Sequence, residues 1–65
     1  MVTVNKNLKK FREEKGVCVK EMAKWIGVSP TTISSWESGK TKPNLEYMLR
    51  IAIFFDVKIS QLIDD

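Results

Sequence analysis

The sequence predicts an all-α domain built from five short helices. Three observations carry this expectation. Apolar residues recur three or four positions apart in a series of short stretches, the spacing of one helix face. Most of those stretches are punctuated, with a capping residue before and a glycine or turn residue after. Finally, only Gly27, Val28 and Ser29 separate the second stretch from the third. Helices joined that tightly cannot fold back antiparallel at full length. They must cross steeply, which is a helix-turn-helix arrangement.

Taken in order, Met1 to Val4 is a short tail with alternating Val2, Thr3 and Val4. It reads either as a frayed end or as a β arm that pairs with another chain. Asn5 is placed to cap a first helix running to about Lys15, with Val4, Leu8 and Phe11 at helical spacing and Gly16 as its stop. The second helix runs from about Val19 to Ile26, with Met22, Ala23 and Ile26 inward and Gly27 ending it. Cys18 holds its capping position, where a thiol accepts hydrogen bonds only weakly.

The third helix, about Pro30 to Ser38, is the most fully punctuated. Ser29 can offer its hydroxyl to backbone N–H groups of the first turn, and Pro30 falls where its missing N–H costs nothing. Gly39 is the left-handed residue expected just past the end. Only Ile33 and Trp36 are strongly apolar here, and they share one face; Thr31, Thr32, Ser34, Ser35 and Ser38 cover the remainder. Such a helix suits insertion into a groove.

Lys40, Thr41, Lys42 and Pro43 then form a basic loop. Asn44 caps a fourth helix from Leu45 to about Phe55, with Leu45, Met48, Leu49, Ala52 and Phe55 as expected inner positions. Asp56 breaks it, and Val57 and Ile59 anchor the connection. Ser60 starts a last turn, Gln61 to Ile63, that docks Leu62.

Composition narrows the function. At 65 residues the chain reads as one domain, residues 1–65, near the lower size limit for folding alone. A chain this short buries only roughly 60% of its unfolded surface. One cysteine excludes an internal disulfide, and with no histidine the usual zinc sets cannot be assembled. Good helix packing or dimerisation must supply the stability. With 43% hydrophobic and 29% charged residues the composition is that of an ordinary globular domain. No apolar run approaches the ~20 residues of a membrane span and no signal-peptide core is present. The expectation is a cytoplasmic protein whose Cys18 stays reduced.

Catalysis is not expected. Cys18 and the serines lack a histidine base, and there is no Gly-rich phosphate loop. The net charge of +3 is a modest lean towards anionic partners and weak evidence alone. No cofactor, metal or small-molecule ligand is expected.

Within Val19 to Ser38, Ala23 and Gly27 stand four apart, so that a small side chain admits the third helix and Gly27 takes the turn's positive φ. The pattern extends further, through Leu8, Arg12, Lys15, Gly16, Met22, Val28, Thr32, Ile33, Trp36, Glu37, Gly39, Lys40, Pro43, Leu45, Ile51, Ala52 and Leu62. With these residues the chain resembles the Cro/CI-type helix-turn-helix family, the lambda-repressor-like DNA-binding domains of phage repressors and small bacterial regulators. The resemblance implies sequence-specific binding of double-stranded DNA, usually as a homodimer on a palindromic operator.

Carried over by position, Pro30 to Ser38 is the recognition helix, which enters the major groove by its N-terminal end. Thr31 and Ser35 should face base edges, with Pro30 and Thr32 beside them. Short hydroxyls cannot make the bidentate contacts of arginine or glutamine, so single hydrogen bonds, water-mediated contacts and thymine-methyl contacts are expected. DNA shape should contribute as well. The alternative, that Thr31 and Ser35 are merely solvated, stays open.

Phosphate contacts are expected from Ser38, Lys40, Lys42 and Asn44, the last with the free N–H groups of the fourth helix. Where many family members carry a glutamine that holds the backbone, this chain has Val19. Lys20 either compensates or is an ordinary solvated lysine. Arg12 and Glu37 match a pair that in the family forms a partly buried salt bridge between the first and third helices.

Trp25, Tyr47, Ile53 and Phe54 stand where the family more often shows polar residues. They read either as partly buried core or as a dimer surface, with Ile53, Phe54, Ile59 and Ile63 the candidates for the latter. The functional alternatives are an antitoxin, for which 65 residues leave little room, and a protein-interaction module with degenerate DNA contacts.

Overall fold

In the computed structural model the described residues are 4–62, with side chains from residue 7 onward. They form α1 (Val4–Lys15), α2 (Val19–Ile26), α3 (Pro30–Ser38), α4 (Leu45–Phe55) and α5 (Ile59–Leu62). The expectations for Met1 to Thr3, for the side chain of Val4 and for Ile63 fall outside that description.

Each helix is bounded much as its sequence is punctuated. Ser29 Oγ accepts from Thr32 N–H at 3.2 Å, and Asn44 Oδ1 accepts from Tyr47 N–H at 2.9 Å. Gly27 (φ 93°) and Gly39 (φ 81°) end α2 and α3 in the left-handed region that a side chain disfavours. A Cβ at Gly27 would meet only Arg50 Nη1 at 3.6 Å, so the backbone conformation, not crowding, demands glycine there.

Two boundaries and one helix face differ from expectation. Asn5 is not the cap of α1: the helix already includes Val4. The terminal helix begins at Ile59, not at Ser60, because Gln61 Oε1 takes the Lys58 N–H at 2.8 Å and sets the start earlier. Cys18 is the N-cap of α2 and, as expected of a thiol, makes no side-chain cap; the Glu21 carboxylate accepts the Cys18 N–H at 3.4 Å instead. A carboxylate is also favoured electrostatically in a first helical turn.

The largest correction concerns α4. Leu45 and Leu49, expected inside, are 67% and 48% exposed, whereas Ile51 is fully buried. Met48 and Phe55 are half-buried and Ala52 is buried, as expected of inner positions. All residues of α4 except Glu46 and Arg50 are apolar, so helical periodicity alone does not select one inward face. Its neighbours select it.

The core joins Leu8 of α1, Met22, Ala23 and Ile26 of α2, Ile33 and Trp36 of α3, Ile51 and Ala52 of α4 and Leu62 of α5. Every helix contributes, and α3 packs against both α1 and α2. The N-terminal half of α3 is thereby braced from behind while its outer face stays open.

Candidate nucleic-acid interface

The polar face of α3 is presented outward. Pro30, Thr31 and Ser34 are exposed, Thr32 and Ser35 are half-buried, and Ile33 and Trp36 are buried beneath them. Thr31 and Ser35 lie one turn apart on one side of the helix. The Thr32 hydroxyl is engaged with Ser29 Oγ at 3.0 Å, which leaves mainly its methyl group for an outside contact.

What aims this helix is the ion pair behind it. Arg12 Nε lies 2.6 Å from Glu37 Oε2, and Arg12 Nη2 lies 3.2 Å from Glu37 Oε1, a two-pronged contact. The two side chains are only 15% and 9% exposed. Arg12 also donates to the Val17 carbonyl at 3.1 Å, so one guanidinium joins α1, the α1–α2 connection and α3. The hydrogen bond to Glu37 raises the Arg12 pKa above its ordinary value, against a smaller opposing effect of burial. The only charge on α3 is therefore turned inward, and its outer face is uncharged.

The nominated phosphate-binding residues differ in readiness. Lys20, Lys40 and Lys42 are exposed, and neither described ion pair, Arg12–Glu37 or Arg50–Glu46, involves them. Lys40 is fixed at the end of α3 because its N–H bonds the Ser35 carbonyl at 2.9 Å. Asn44 uses its side-chain oxygen as the α4 cap, which leaves its amide N–H groups able to donate outward. Ser38 is less ready: its hydroxyl already donates to the Ser35 carbonyl at 3.1 Å. Val19 is half-buried and packs on the core, so its departure from glutamine serves packing.

Several residues that hold the helices in place carry no sequence signal of doing so. Arg50 Nη1 donates to the carbonyl of Ile26, the last residue of α2, at 3.1 Å, and its Nη2 bonds Glu46 at 3.2 Å. It also lies over the Tyr47 ring (5.9 Å to the centroid), and Tyr47 in turn contacts Trp36 of α3 (ring centroids 5.5 Å). Asn7 is buried and its amide donates to the Gln61 and Leu62 carbonyls at 3.3 and 3.1 Å, tying α5 to α1. The partners are backbone carbonyls remote in sequence, which no residue pattern announces.

Of the dimer candidates, Ile53 is 70% exposed, while Phe54 and Ile59 are partly buried against the core. Phe54 packs at a tilt against Trp25 (ring centroids 5.0 Å) and lies beneath Lys15. Among the described residues no helix is long and apolar enough to cross a membrane.

A short α2–α3 turn, a braced α3 with an open polar face and a basic loop behind it define a helix-turn-helix domain. The family described as helix-turn-helix, of the Cro/CI type, matches residues 8–62, and the chain belongs to it. It is 41% identical over 59 residues to the transcriptional activator BcrR of Enterococcus faecalis, a match covering 91% of this chain and 29% of that one. It is 40% identical over 55 residues to an uncharacterised helix-turn-helix transcriptional regulator of Methanocaldococcus jannaschii, covering 85% of this chain and 83% of that one. A solved structure of SinR in complex with DNA superposes with a TM-score of 0.86 at 28% identity, over 95% of this chain and 100% of that one. The chain spans less than a third of BcrR (29%) and 57% of the Bacillus subtilis regulator SinR.

Proposed function

We propose that this chain is a sequence-specific double-stranded DNA-binding domain of a transcriptional regulator, acting in the cytoplasm as a homodimer on a palindromic operator. The single observation that supports this most is the outward, uncharged, hydrogen-bonding face of α3, held rigid by the inward Arg12–Glu37 pair. A surface helix with no charge outward and no large side chain fits the major groove closely and leaves its hydroxyls and methyls at the base edges. Thr31 and Ser35 read bases, Pro30 and Thr32 pack beside them, and the Thr methyls select thymine.

Lys40, Lys42, Lys20 and the Asn44 amide hold the phosphates, with the exposed N–H groups at the start of α4 beside Asn44. Ser38 contributes only if its hydroxyl leaves the Ser35 carbonyl. Residues 1–65 act as one domain, and the reading requires no cofactor. The complex of SinR with DNA supports the same use of this fold.

Selection of bound sequences from a random DNA pool, run in parallel on the wild type and Thr31→Ala, tests the reading. The wild type should enrich a two-fold symmetric site, and the variant should lose preference at one position in each half-site. Identical enrichment by both proteins removes Thr31 from the readers, and no enrichment by the wild type refutes sequence-specific binding.

A further inference from the structure

The face of α4 turned away from the core carries Leu45, Leu49 and Ile53, which are 67%, 48% and 70% exposed. They stand four residues apart, so they form one stripe about 12 Å long on the helix surface. Isolated exposed aliphatic residues need no explanation, but a continuous row along a whole helix does. Arg50 and Glu46 border the row on one side, exposed and ion-paired at 3.2 Å. Oppositely charged Lys42 and Asp56, both exposed, stand in the chain just before and just after α4.

We propose that this stripe is where two copies of the chain pair, α4 against α4, antiparallel and about a two-fold axis at Leu49. The pairing rests on the homodimer reading and gives it a surface centred on Leu49, in place of one built on Phe54 and Ile59. The register follows from spacing. With Leu49 facing itself, Leu45 packs on the partner's Ile53 and Ile53 on the partner's Leu45, the reciprocity of an isologous contact.

The same operation brings Lys42 towards the partner's Asp56, and Glu46 towards the partner's Arg50, once at each end. A parallel pair would instead set Lys42 beside Lys42 and Asp56 beside Asp56. The antiparallel arrangement also opposes the two helix dipoles favourably. Exposed charges of this kind add little strength and chiefly choose the direction. Phe54 and Ile59 already have neighbours within the domain, whereas the Leu45–Leu49–Ile53 row has the open side.

Three aliphatic side chains per copy fall well short of the about 800 Å² per partner of a standard interface. The free pair is therefore weak, with a dissociation constant on the order of tens to hundreds of micromolar. Simultaneous engagement of two half-sites on one DNA strengthens it without new contacts.

Sedimentation velocity from about 10 µM to about 1 mM spans that range. The wild type should show a monomer–dimer equilibrium. Leu49→Lys and Leu49→Glu each place like charges on the two-fold and should weaken it at least about tenfold. An equimolar mixture of the two should regain association, a result that general destabilisation cannot produce. Circular dichroism checks that both variants fold, and Ile53→Glu, at a still more exposed site, tests the same face if either does not.

A wild type that stays monomeric throughout overturns the proposal. So do folded variants that dimerise as well as the wild type, which would return the interface to another face. Binding to a DNA fragment with one half-site, measured on the same samples, should be unchanged by the Leu49 variants. A failure of the DNA-binding reading appears in that measurement and not in the sedimentation.

Discussion

Arg12 is held by two partners at once, the Glu37 carboxylate and the Val17 carbonyl, and it fixes α3 without touching its outer face. Removing either charge strands the other in a mostly buried site. Arg12→Ala or Glu37→Leu should cost about 2–4 kcal/mol, somewhat below the cost at a fully buried pair. In a domain of this size each kcal/mol lowers Tm by about 4–8 °C, which calorimetry resolves. The Arg12→Ala, Glu37→Leu double variant should be less destabilised than the sum of the two single ones. Because Glu37 raises the Arg12 pKa, the contribution is complete below the ordinary arginine value and fades only as pH climbs through the raised one, far above neutrality. The pair is suggested by the resemblance to the family. The carbonyl contacts of Asn7 and Arg50 are not visible in sequence, since a polar side chain bonding a carbonyl 55 or 24 positions away leaves no local pattern.

At the scale of elements, local punctuation accounts for α3 almost completely. A nine-residue helix is marginal by itself, so its caps carry a large share of its definition. Ser29 both accepts the Thr32 N–H and engages the Thr32 hydroxyl. Ser29→Ala should therefore cost about 1 kcal/mol. In urea denaturation this should appear as a lower midpoint with an unchanged m-value. A midpoint equal to the wild type would show that the serine cap is idle. α4 is the contrary case. Its cap and length are readable from Asn44 and Asp56, but its inward face is not, because apolar residues surround it. Packing against α2 and α5 brings Ile51 inward and leaves Leu45 and Leu49 outside.

For the whole molecule, the proposed reading divides the work: affinity from the basic loop and helix ends, selectivity from the small hydroxyls and methyls of α3. Each phosphate neutralised adds about 0.9 to the slope of log affinity against log salt. Replacing Lys40 and Lys42 together by alanine should therefore reduce that slope by about 1.8 while leaving the base preference of selected sites unchanged. A shifted base preference would make one of these lysines a reader. The number of helices, most of their boundaries, the tight α2–α3 turn and the polar surface of α3 are legible in the chain alone. Those follow from caps, glycines and periodicity, which act over a few neighbouring residues. The inward face of α4 and the carbonyl contacts of Arg50 and Asn7 arise only in the packed molecule. These depend on which groups remain unpaired once all the helices have packed, a condition that no single stretch of chain contains.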